Sequence, residues 1–416
     1  MVEGPRLVDG AGPAGPVGDT PPATRVRLLV VSSTYPRWHG DPEPAFVHEL
    51  ARRLVDRFDI QVIGPHARGA ATEQMLDGVH VRRYRYAPAA WETLVNAGGI
   101  LTNLRRAPWK WLLVPGFALG QWLAIRRVMR QFRPQAVHAH WLVPQGLITV
   151  CAVGHAPVLA TSHGADLFGL PGPSFARLRR WVIGRVAALS VVSQAMCERV
   201  LGEVPQARVQ VMPMGVDCER FRPDGRARTD GALLFVGRLV EKKGLRHLIE
   251  SMPAVVDACP HAHLTVVGFG PEQARLEQRV AELGLQACVR FLGALPQDQL
   301  PDHYRNASLF VAPFIEADGG DQEGLGLVVA EAMACACPVL VGDVAGVRDL
   351  IGGDTGLRVD ATNHTALAAA IIDLLRDDCR RAHLAGQGRE HVLRHFAWPV
   401  VADSYARLLA SLAAGS

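Results

Sequence analysis

The chain has 416 residues, of which 49% are hydrophobic and 20% charged, with a formal net charge of +4. This composition is that of a globular protein, and the length predicts two domains because it exceeds one ordinary hydrophobic core. The eight cysteines include no C-x-x-C pair, which argues against a zinc ribbon or redox motif and favours a reducing, cytoplasmic location. The most apolar run, 112–125, is broken by proline and glycine and is too short to span a membrane.

The charge is distributed unevenly along the chain. Residues 1–24 are rich in glycine and proline and lack the pattern of a signal peptide, so we predict a disordered tail. Residues 25–215 carry 23 Lys and Arg against 11 Asp and Glu, whereas residues 216–416 carry 20 against 26. A basic first half predicts an anionic partner, either membrane headgroups or a phosphorylated acceptor, and no nucleic-acid-binding module is recognisable.

The first half begins as an alternating α/β pattern. The continuous apolar run Val26–Ser32 predicts a strand that is buried on both faces of a parallel sheet. A loop at 33–44, a helix at 45–57 and a strand at 60–63 follow. The loop lies at the carboxyl end of the first strand, where open α/β sheets bind ligands. Further strands are predicted at 136–139, 158–161 and 189–193.

Segment 91–132 is the least regular part of the first half. It places tryptophans among arginines, a composition typical of segments at membrane interfaces. The basic and aromatic stretch 105–133 is therefore a candidate for peripheral contact with an anionic membrane. The alternative is a pair of helices with the aromatic side chains in the core and the charges in solvent.

Histidines stand at the ends of two predicted strands. We expect His138 and His140 to face opposite sides of their strand, which disfavours a shared metal ion. His163 stands beside Gly164 at the end of the next strand, and we expect it to project into a cleft.

The second half repeats the α/β alternation. Strands are predicted at 232–236, 263–267, 289–293, 308–312 and 338–342, with helices at 245–256 and 403–412. The sequence therefore predicts an α/β protein of two doubly wound domains that face one another.

The stretch 316–339 combines two acids with a predicted helix start. Glu323 lies in a flexible loop, and Glu331 lies about two turns into the helix. The amides of 324–327 would point out of the helix start, where an anion is favoured. A diphosphate at those amides, with a carboxylate on each side for hydroxyl groups, fits a sugar nucleotide. The alternative is two acids without a joint role.

Lysine is used in only three places, at 110, 242 and 243, and every other basic side chain apart from histidine is arginine. A lysine ammonium is a compact point charge that suits a phosphate in a tight place. With Arg238 five residues earlier, Lys243 predicts a cationic clamp for a diphosphate. The alternative is a solvated charge on a loop.

Several motifs, taken together and in order, resemble those of the GT-B glycosyltransferases of retaining family 4, the glycosyl transferases of group 1. In the second half they are Gly237-Arg238-Leu239, Lys243-Gly244, Gly268-Phe269-Gly270-Pro271, Glu323-Gly324-Leu325-Gly326, Glu331-Ala332-Met333-Ala334 and Asp343-Val344-Ala345-Gly346. In the first half they are Tyr35-Pro36-Arg37, His138-Ala139-His140-Trp141 and Thr161-Ser162-His163-Gly164-Ala165-Asp166. The resemblance covers nearly the whole chain from Arg25.

The resemblance implies a GT-B fold of two Rossmann-like domains facing a central cleft. After the tail 1–24, the acceptor-binding domain would occupy 25–212 and the nucleotide-sugar-binding domain 213–395. The closing segment 396–416 would be a helix that crosses back toward the first domain. Ala336 stands where glycine is usual, which we expect to affect only packing.

The resemblance also implies roles for particular residues. Arg238 and Lys243 would hold the donor diphosphate, Glu331 the ribose and Glu323 the transferred sugar, with His163 near the reaction centre. The catalytic candidates are thus Glu323, His163, Arg238 and Lys243. The donor-binding candidates are Glu331, Gly324, Leu325, Gly326, Leu327, Asp166 and Gly40. Gly40 lies in the loop where many members carry two adjacent glycines, so the contact of this loop with the diphosphate departs from the family pattern.

The predicted reaction is transfer of a hexosyl group, with retention, from a UDP- or GDP-sugar to a hydroxyl of a lipid-linked or polysaccharide acceptor. No Asp-x-Asp motif stands near the predicted donor site, so we expect the reaction to need no metal and no cofactor. We also expect a cytoplasmic enzyme that lies at the periphery of the membrane. Two alternatives are a GT-B-type phosphorylase and a sugar-nucleotide epimerase. A third, non-enzymatic alternative is a glycan- or lipid-binding assembly protein with a vestigial donor site.

Overall fold

The computed structural model describes residues 25–41, 43–96, 98–170 and 172–415. The predicted tail at 1–24 lies outside the described residues. Two sheets organise the described chain, and each follows the α/β alternation expected from the sequence.

The first sheet has the strand order β3-β4-β2-β1-β5-β6-β7-β8, parallel except for the pair β3 and β4. Its strands are β1 (Val26–Val31), β2 (Phe58–Pro65), β3 (Glu73–Leu76), β4 (Val79–Tyr84), β5 (Ala136–His140), β6 (Val158–Ser162), β7 (Ala188–Val191) and β8 (Val209–Val211). Its helices are α1 (Phe46–Leu54), α2 (Ile100–Arg106), α3 (Val114–Gln131), α4 (Leu147–Ala152), α5 (Ala165–Phe168), α6 (Pro173–Ile183) and α7 (Gln194–Glu203).

The second sheet has the order β11-β10-β9-β12-β13-β14 and is parallel throughout. Its strands are β9 (Thr229–Val236), β10 (His263–Val267), β11 (Val289–Gly293), β12 (Ala307–Ala312), β13 (Val339–Gly342) and β14 (Leu357–Val359). The helices of this half are α8 (Leu245–Ala258), α9 (Gln273–Glu282), α10 (Leu300–Asn306), α11 (Leu327–Ala334), α12 (His364–Arg376), α13 (Asp378–His395) and α14 (Trp398–Ala414).

The apolar runs of the central strands are explained by burial on both faces. In β1, Leu28 and Val30 belong to one core cluster, whereas Leu29 and Val31 belong to another that includes Phe117 of α3. Successive side chains of a strand point to opposite faces, so a strand covered on both sides must be apolar at every position. The same reason accounts for β12, in which all six residues are buried.

Helix α14 closes the chain against the first half of the molecule. The Tyr405 hydroxyl donates to the Met212 carbonyl at 3.0 Å, and Arg57 pairs with Asp403 at 2.8 Å. Arg53 stacks over the ring of Trp398 at 5.0 Å. The predicted domain boundaries stay predictions, but this helix does pack on elements of the first sheet.

Ala336 affects the backbone as well as the packing that the sequence led us to expect. Its φ is +52°, in the left-handed region, and it lies two residues beyond the end of α11. A residue with a Cβ pays about 1–2 kcal/mol in this conformation, whereas glycine does not. The difference from the usual glycine therefore concerns backbone strain as well as packing.

Candidate active site

The loops after β9 and β12 meet at an ion pair between Lys243 and Glu323. The Lys243 Nζ lies 2.6 Å from Glu323 Oε2. The two strands are neighbours in a parallel sheet, so their carboxyl ends open onto the same edge. Gly244, with φ +68°, permits the approach, because a Cβ there would lie 1.7 Å from the Pro313 carbonyl oxygen.

Glu323 also holds the backbone just before helix α11. Its Oε1 accepts a hydrogen bond from the Gly326 amide at 3.2 Å, and Gly326 caps the helix with φ +83°. Burial raises the carboxyl pKa, but the Lys243 and Lys242 ammoniums and the hydrogen bonds outweigh it and lower the pKa of Glu323 to about 2. One of the four amides predicted to face a phosphate is therefore occupied by a carboxylate in this structure.

The two halves of the molecule approach each other closely at two glycines. A Cβ on Gly164 would lie 3.4 Å from the Gly324 Cα, and a Cβ on Gly324 would lie 3.0 Å from the His163 carbonyl oxygen. The residue after Glu323 thus touches the backbone of His163. This contact joins the two chain segments, after β6 and after β12, that carry two of the predicted catalytic candidates.

His163 is surrounded by aromatic rings. Its Nε2 lies 3.0 Å from His140 Nδ1, and the two rings are nearly parallel at a centroid distance of 5.2 Å. The rings of Phe46 and Trp141 lie 4.8 Å and 4.9 Å away. Burial lowers the pKa of His163 to about 3, so the imidazole is neutral near neutral pH.

The expectation that His138 and His140 face opposite sides is wrong. Their ring centroids lie 4.1 Å apart. Residues two apart on a strand point to the same face, because the side-chain period of a strand is two. Within the described ranges, no group of three or more histidine, cysteine or acidic side chains could hold a metal ion.

Arg238 does not share a contact with Lys243 but reaches toward the first half of the chain. Its Nη1 donates to the Gly98 carbonyl at 2.9 Å and lies 3.4 Å from the Thr102 hydroxyl, while its buried Nε has no partner. Burial lowers the pKa of Arg238, and the carboxylate of Glu43 partly opposes this. The sequence reading missed Gly98 and Thr102, although the adjacent glycines 98 and 99 were a visible signal.

Glu331 lies on α11 away from the Lys243 pair. Its Oε2 accepts a hydrogen bond from the Tyr304 hydroxyl of α10 at 3.0 Å. Burial raises the pKa of Glu331 to about 7, and the hydrogen bonds from Tyr304 and Gln297 only partly offset this. Tyr304 was also missed, since nothing in the sequence links α10 to a residue 27 positions later.

Two further candidates stand apart from these contacts. Asp166 is buried, and its oxygens accept from the Ser162 hydroxyl and the Leu142 amide, each at 2.6 Å. It thereby joins the segments that follow β5 and β6. Gly40 is exposed in the loop after β1, with φ +77°. Neither residue contacts Glu323 or Lys243 in this structure, and their donor-binding roles stay predictions.

The loop 317–322 borders the Lys243 pair and a neighbouring cleft. Lys242 Nζ holds the loop through Asp321 Oδ1 at 3.0 Å. On the other side lies a cleft of about 420 Å³, which Glu316 and Gln322 help to line. Asp343 also lines this cleft and pairs with Arg348 and Arg358, each at 3.1 Å.

Comparison with known proteins gives two matches to family descriptions. Residues 45–220 match Glycosyltransferase Family 4, and residues 218–391 match Glycosyl transferases group 1. Neither match alone covers half of the chain, but together they span both sheets.

Two relatives are named as mannosyltransferases. The chain is 30% identical over 402 residues to the GDP-mannose-dependent alpha-(1-6)-phosphatidylinositol monomannoside mannosyltransferase of Mycobacterium tuberculosis, covering 92% of this chain and 98% of that one. It is 31% identical over 279 residues to the GDP-mannose-dependent monoacylated alpha-(1-6)-phosphatidylinositol monomannoside mannosyltransferase of Corynebacterium glutamicum, covering 63% and 72%.

Solved structures show the same fold. Sucrose-phosphate synthase from Thermosynechococcus elongatus superposes with a TM-score of 0.77 at 21% identity, over 94% of this chain and 100% of that one. The HepE protein of Anabaena, in complex with UDP and glucose, superposes with a TM-score of 0.69 at 17% identity, over 93% and 100%.

Proposed function

The chain belongs to family 4 of the GT-B glycosyltransferases, and on this premise we propose that it transfers a hexosyl group, with retention and without a metal, from a nucleoside diphosphate sugar to a lipid-linked acceptor. The observation that carries the proposal is the placement of Lys243, Glu323 and the start of α11 against His163. A cation, a carboxylate and the start of a helix converge there from one sheet, and the backbone of His163 approaches from the other. GDP-mannose is the first donor to test, since the two mannosyltransferase relatives are named for it.

The cations would act on the leaving group. When the bond to the sugar breaks, negative charge grows on the diphosphate, and preorganised cations stabilise it without reorganisation. Lys243 is already held near the start of α11 by Glu323. Arg238 has a buried Nε without a partner that a phosphate oxygen would satisfy. These groups supply the positive charge that a metal would otherwise provide.

The acids would not act as a double-displacement pair. That mechanism needs two carboxyl groups about 5 Å apart across the sugar. Glu323 forms an ion pair with Lys243 in the loop before α11. Glu331, which lies within α11, accepts a hydrogen bond from Tyr304 of α10. We therefore assign Glu323 to hydroxyls of the transferred sugar and Glu331 to the ribose. The departing phosphate oxygen then takes the proton of the acceptor hydroxyl on the same face, which retains the configuration.

A panel of nucleotide sugars tests the proposed reaction. The chain is incubated with GDP-mannose, other GDP-sugars and UDP-sugars, and Tm and release of the nucleoside diphosphate are measured. We expect GDP-mannose to raise Tm and to yield GDP in the presence of a phosphatidylinositol-containing acceptor fraction. Phosphate-dependent sugar release without a nucleotide would favour the phosphorylase alternative, and a free epimeric sugar nucleotide the epimerase. Binding of no nucleoside diphosphate would overturn the proposal and favour a binding protein.

Donor binding should strengthen as the pH rises through about 7, the pKa to which burial raises Glu331. An ionised carboxylate accepts hydrogen bonds from both ribose hydroxyls, whereas a protonated carboxyl group carries one O–H donor and loses an acceptor. If binding requires the ionised form, Kd should fall about tenfold between pH 6 and pH 8. Calorimetry checks this, with Glu331→Gln as the variant whose weaker binding should no longer vary in this range. A wild-type Kd that is flat with pH would contradict the ribose assignment.

An aromatic–basic surface supports a membrane-bound acceptor. We define it by the exposed apolar side chains of 108–123, which are Trp109, Trp111, Leu112, Leu119, Trp122 and Leu123. Trp111 is 57% exposed and Leu112 81%. The alternative that all aromatic side chains of this segment lie in the core is therefore wrong, although it holds for Phe117, which is 2% exposed.

The charges within this segment have one sign. No aspartate or glutamate occurs between Glu92 and Asp166, whereas seven lysines and arginines fall within 105–133. Tryptophan and leucine side chains with flanking cations fit the interface of an anionic bilayer. No helix among the described residues combines the length and apolar character that a membrane span requires. We propose peripheral attachment through this surface, which would bring the acceptor domain to its lipid.

Liposome flotation tests the attachment. The chain should float with vesicles that contain about 30% anionic phospholipid, should not float with zwitterionic vesicles, and should be released by high salt. Trp111→Ser combined with Leu112→Ser should lower the bound fraction several-fold. Leu201→Ser combined with Leu393→Ser, which removes exposed apolar side chains elsewhere, is the matched control. Equal binding to both kinds of vesicle, or to none, would contradict the proposal.

A further inference from the structure

His163 is tied to a second histidine that lies deeper in the molecule. His140 is 1% exposed, and its Nδ1 lies 3.0 Å from His163 Nε2. His163 itself is only half-buried and touches the second half of the chain through its backbone. The imidazole of His163 thus has a buried partner on the neighbouring strand.

His140 packs against a second buried histidine, which belongs to a polar network. Its ring lies 4.1 Å from that of His138, whose Nε2 is 2.7 Å from the Thr161 hydroxyl. Thr161 is bonded in turn to Ser190 at 2.6 Å, and Tyr405 of α14 stacks on His138. These groups belong to β5, β6, β7 and α14, so four elements hold the histidine ring against which His140 packs.

The bond between the two rings involves a single proton. Burial lowers the pKa of both His140 and His163, so both rings are neutral and only one of the two facing nitrogens carries hydrogen. With Nε2 engaged by His140, the nitrogen of His163 that remains for a substrate is Nδ1. The hydrogen bond therefore couples the tautomers of the two rings, so that the tautomer of His140 sets that of His163.

We propose that His140 is a positioning residue for the transfer reaction, whose bond to Nε2 fixes the ring plane and the tautomer of His163 and so presents His163 Nδ1 to the donor sugar. This proposal rests on the proposed function, because it assumes that His163 faces the reaction centre. Nothing in the proposal requires His140 to touch a substrate. Loss of the bond should affect turnover more than donor binding, because the donor is held chiefly by the second half.

A pair of substitutions separates the hydrogen bond from the volume of the ring. Asparagine places an amide atom close to the position of Nδ1, whereas leucine fills similar space without a polar atom. His140→Leu should lower kcat about 10–100-fold with the donor Kd changed less than about threefold, and His140→Asn should restore most of kcat. The matched control is Thr149→Val, which alters a buried hydroxyl without a partner on α4 and should leave kcat unchanged.

Side-chain NMR gives a readout that a purely structural role would not move. The ¹⁵N shifts of His163 should change tautomer signature in His140→Leu and keep the wild-type signature in His140→Asn. Equal loss of kcat and Tm in both variants, or wild-type kcat in His140→Leu, would overturn the proposal. An inactive wild-type chain would instead overturn the proposed function, and the ¹⁵N shifts would then still decide whether His140 sets the tautomer.

Discussion

Replacing Lys243 by alanine should lower kcat by about two to three orders of magnitude, the usual loss when one preorganised group that stabilises developing charge is removed. The ammonium lies in the loop after β9, 2.6 Å from Glu323 and 4.6 Å from the ring centre of Phe314, so its position is fixed before substrate arrives. A cation held in this way stabilises a leaving diphosphate without first having to be ordered.

The neighbouring lysine provides the control. Lys242 carries the same charge but is directed to Asp321 in the loop 317–322. Lys242→Ala should keep kcat within a few-fold of wild type, which would show that position rather than charge in the loop is decisive. Rates under donor saturation measure the effect, and Tm shows whether the chain remains folded. Turnover near the wild-type value in Lys243→Ala would remove this residue from the active site.

Glu323→Gln should lower kcat by at least about two orders of magnitude, because the carboxylate that orients the transferred sugar becomes a neutral amide. The pKa of about 2 means that Glu323 is ionised throughout the working range, so the loss should be the same between pH 5 and pH 8. Glutamine is isosteric and can still accept from the Gly326 amide, so the start of α11 should persist. Asp318→Asn, which changes an exposed acid in the neighbouring loop that does not line the cleft, is the control.

The two large effects should not add. Lys243 and Glu323 are in direct contact, and changes to contacting residues generally show interaction energies in a double-mutant cycle. Lys243→Ala also leaves a partly buried carboxylate without its cation, whereas the double variant does not. The double variant should therefore lose much less activity than the product of the single losses. Strict additivity, or a Glu323→Gln rate near wild type, would contradict a joint role.

The fold was predictable to a large extent because a strand buried on both faces appears in the sequence as a continuous apolar run. β1, β10 and β12 are apolar runs whose limits agree with the prediction to within a residue or two. The weaker strands were missed. β3 reads Glu73-Gln74-Met75-Leu76 and β14 has three residues, and both lie at sheet edges, where exposure removes the apolar pattern.

By itself, the sequence determined the two α/β halves, the start of α11 with its two acids, and the lysines after β9. These features are local, because they depend on periodicity, composition and short spacings along the chain. Glu323 and Lys243 were therefore recognisable as candidates, but their direct pairing was not. Neither Tyr304 beside Glu331 nor Gly98 beside Arg238 could be read from any local pattern.

Only the tertiary structure decided those partners. Lys243 and Glu323 are 80 residues apart, and Arg238 and Gly98 are 140 apart. Such contacts depend on which strand ends adjoin in a sheet and on how two sheets face one another, and spacing along the chain encodes neither. His140 and His163 are another such pair. They are far apart in the sequence, but they meet in the fold because β5 and β6 are neighbouring parallel strands whose carboxyl ends lie side by side.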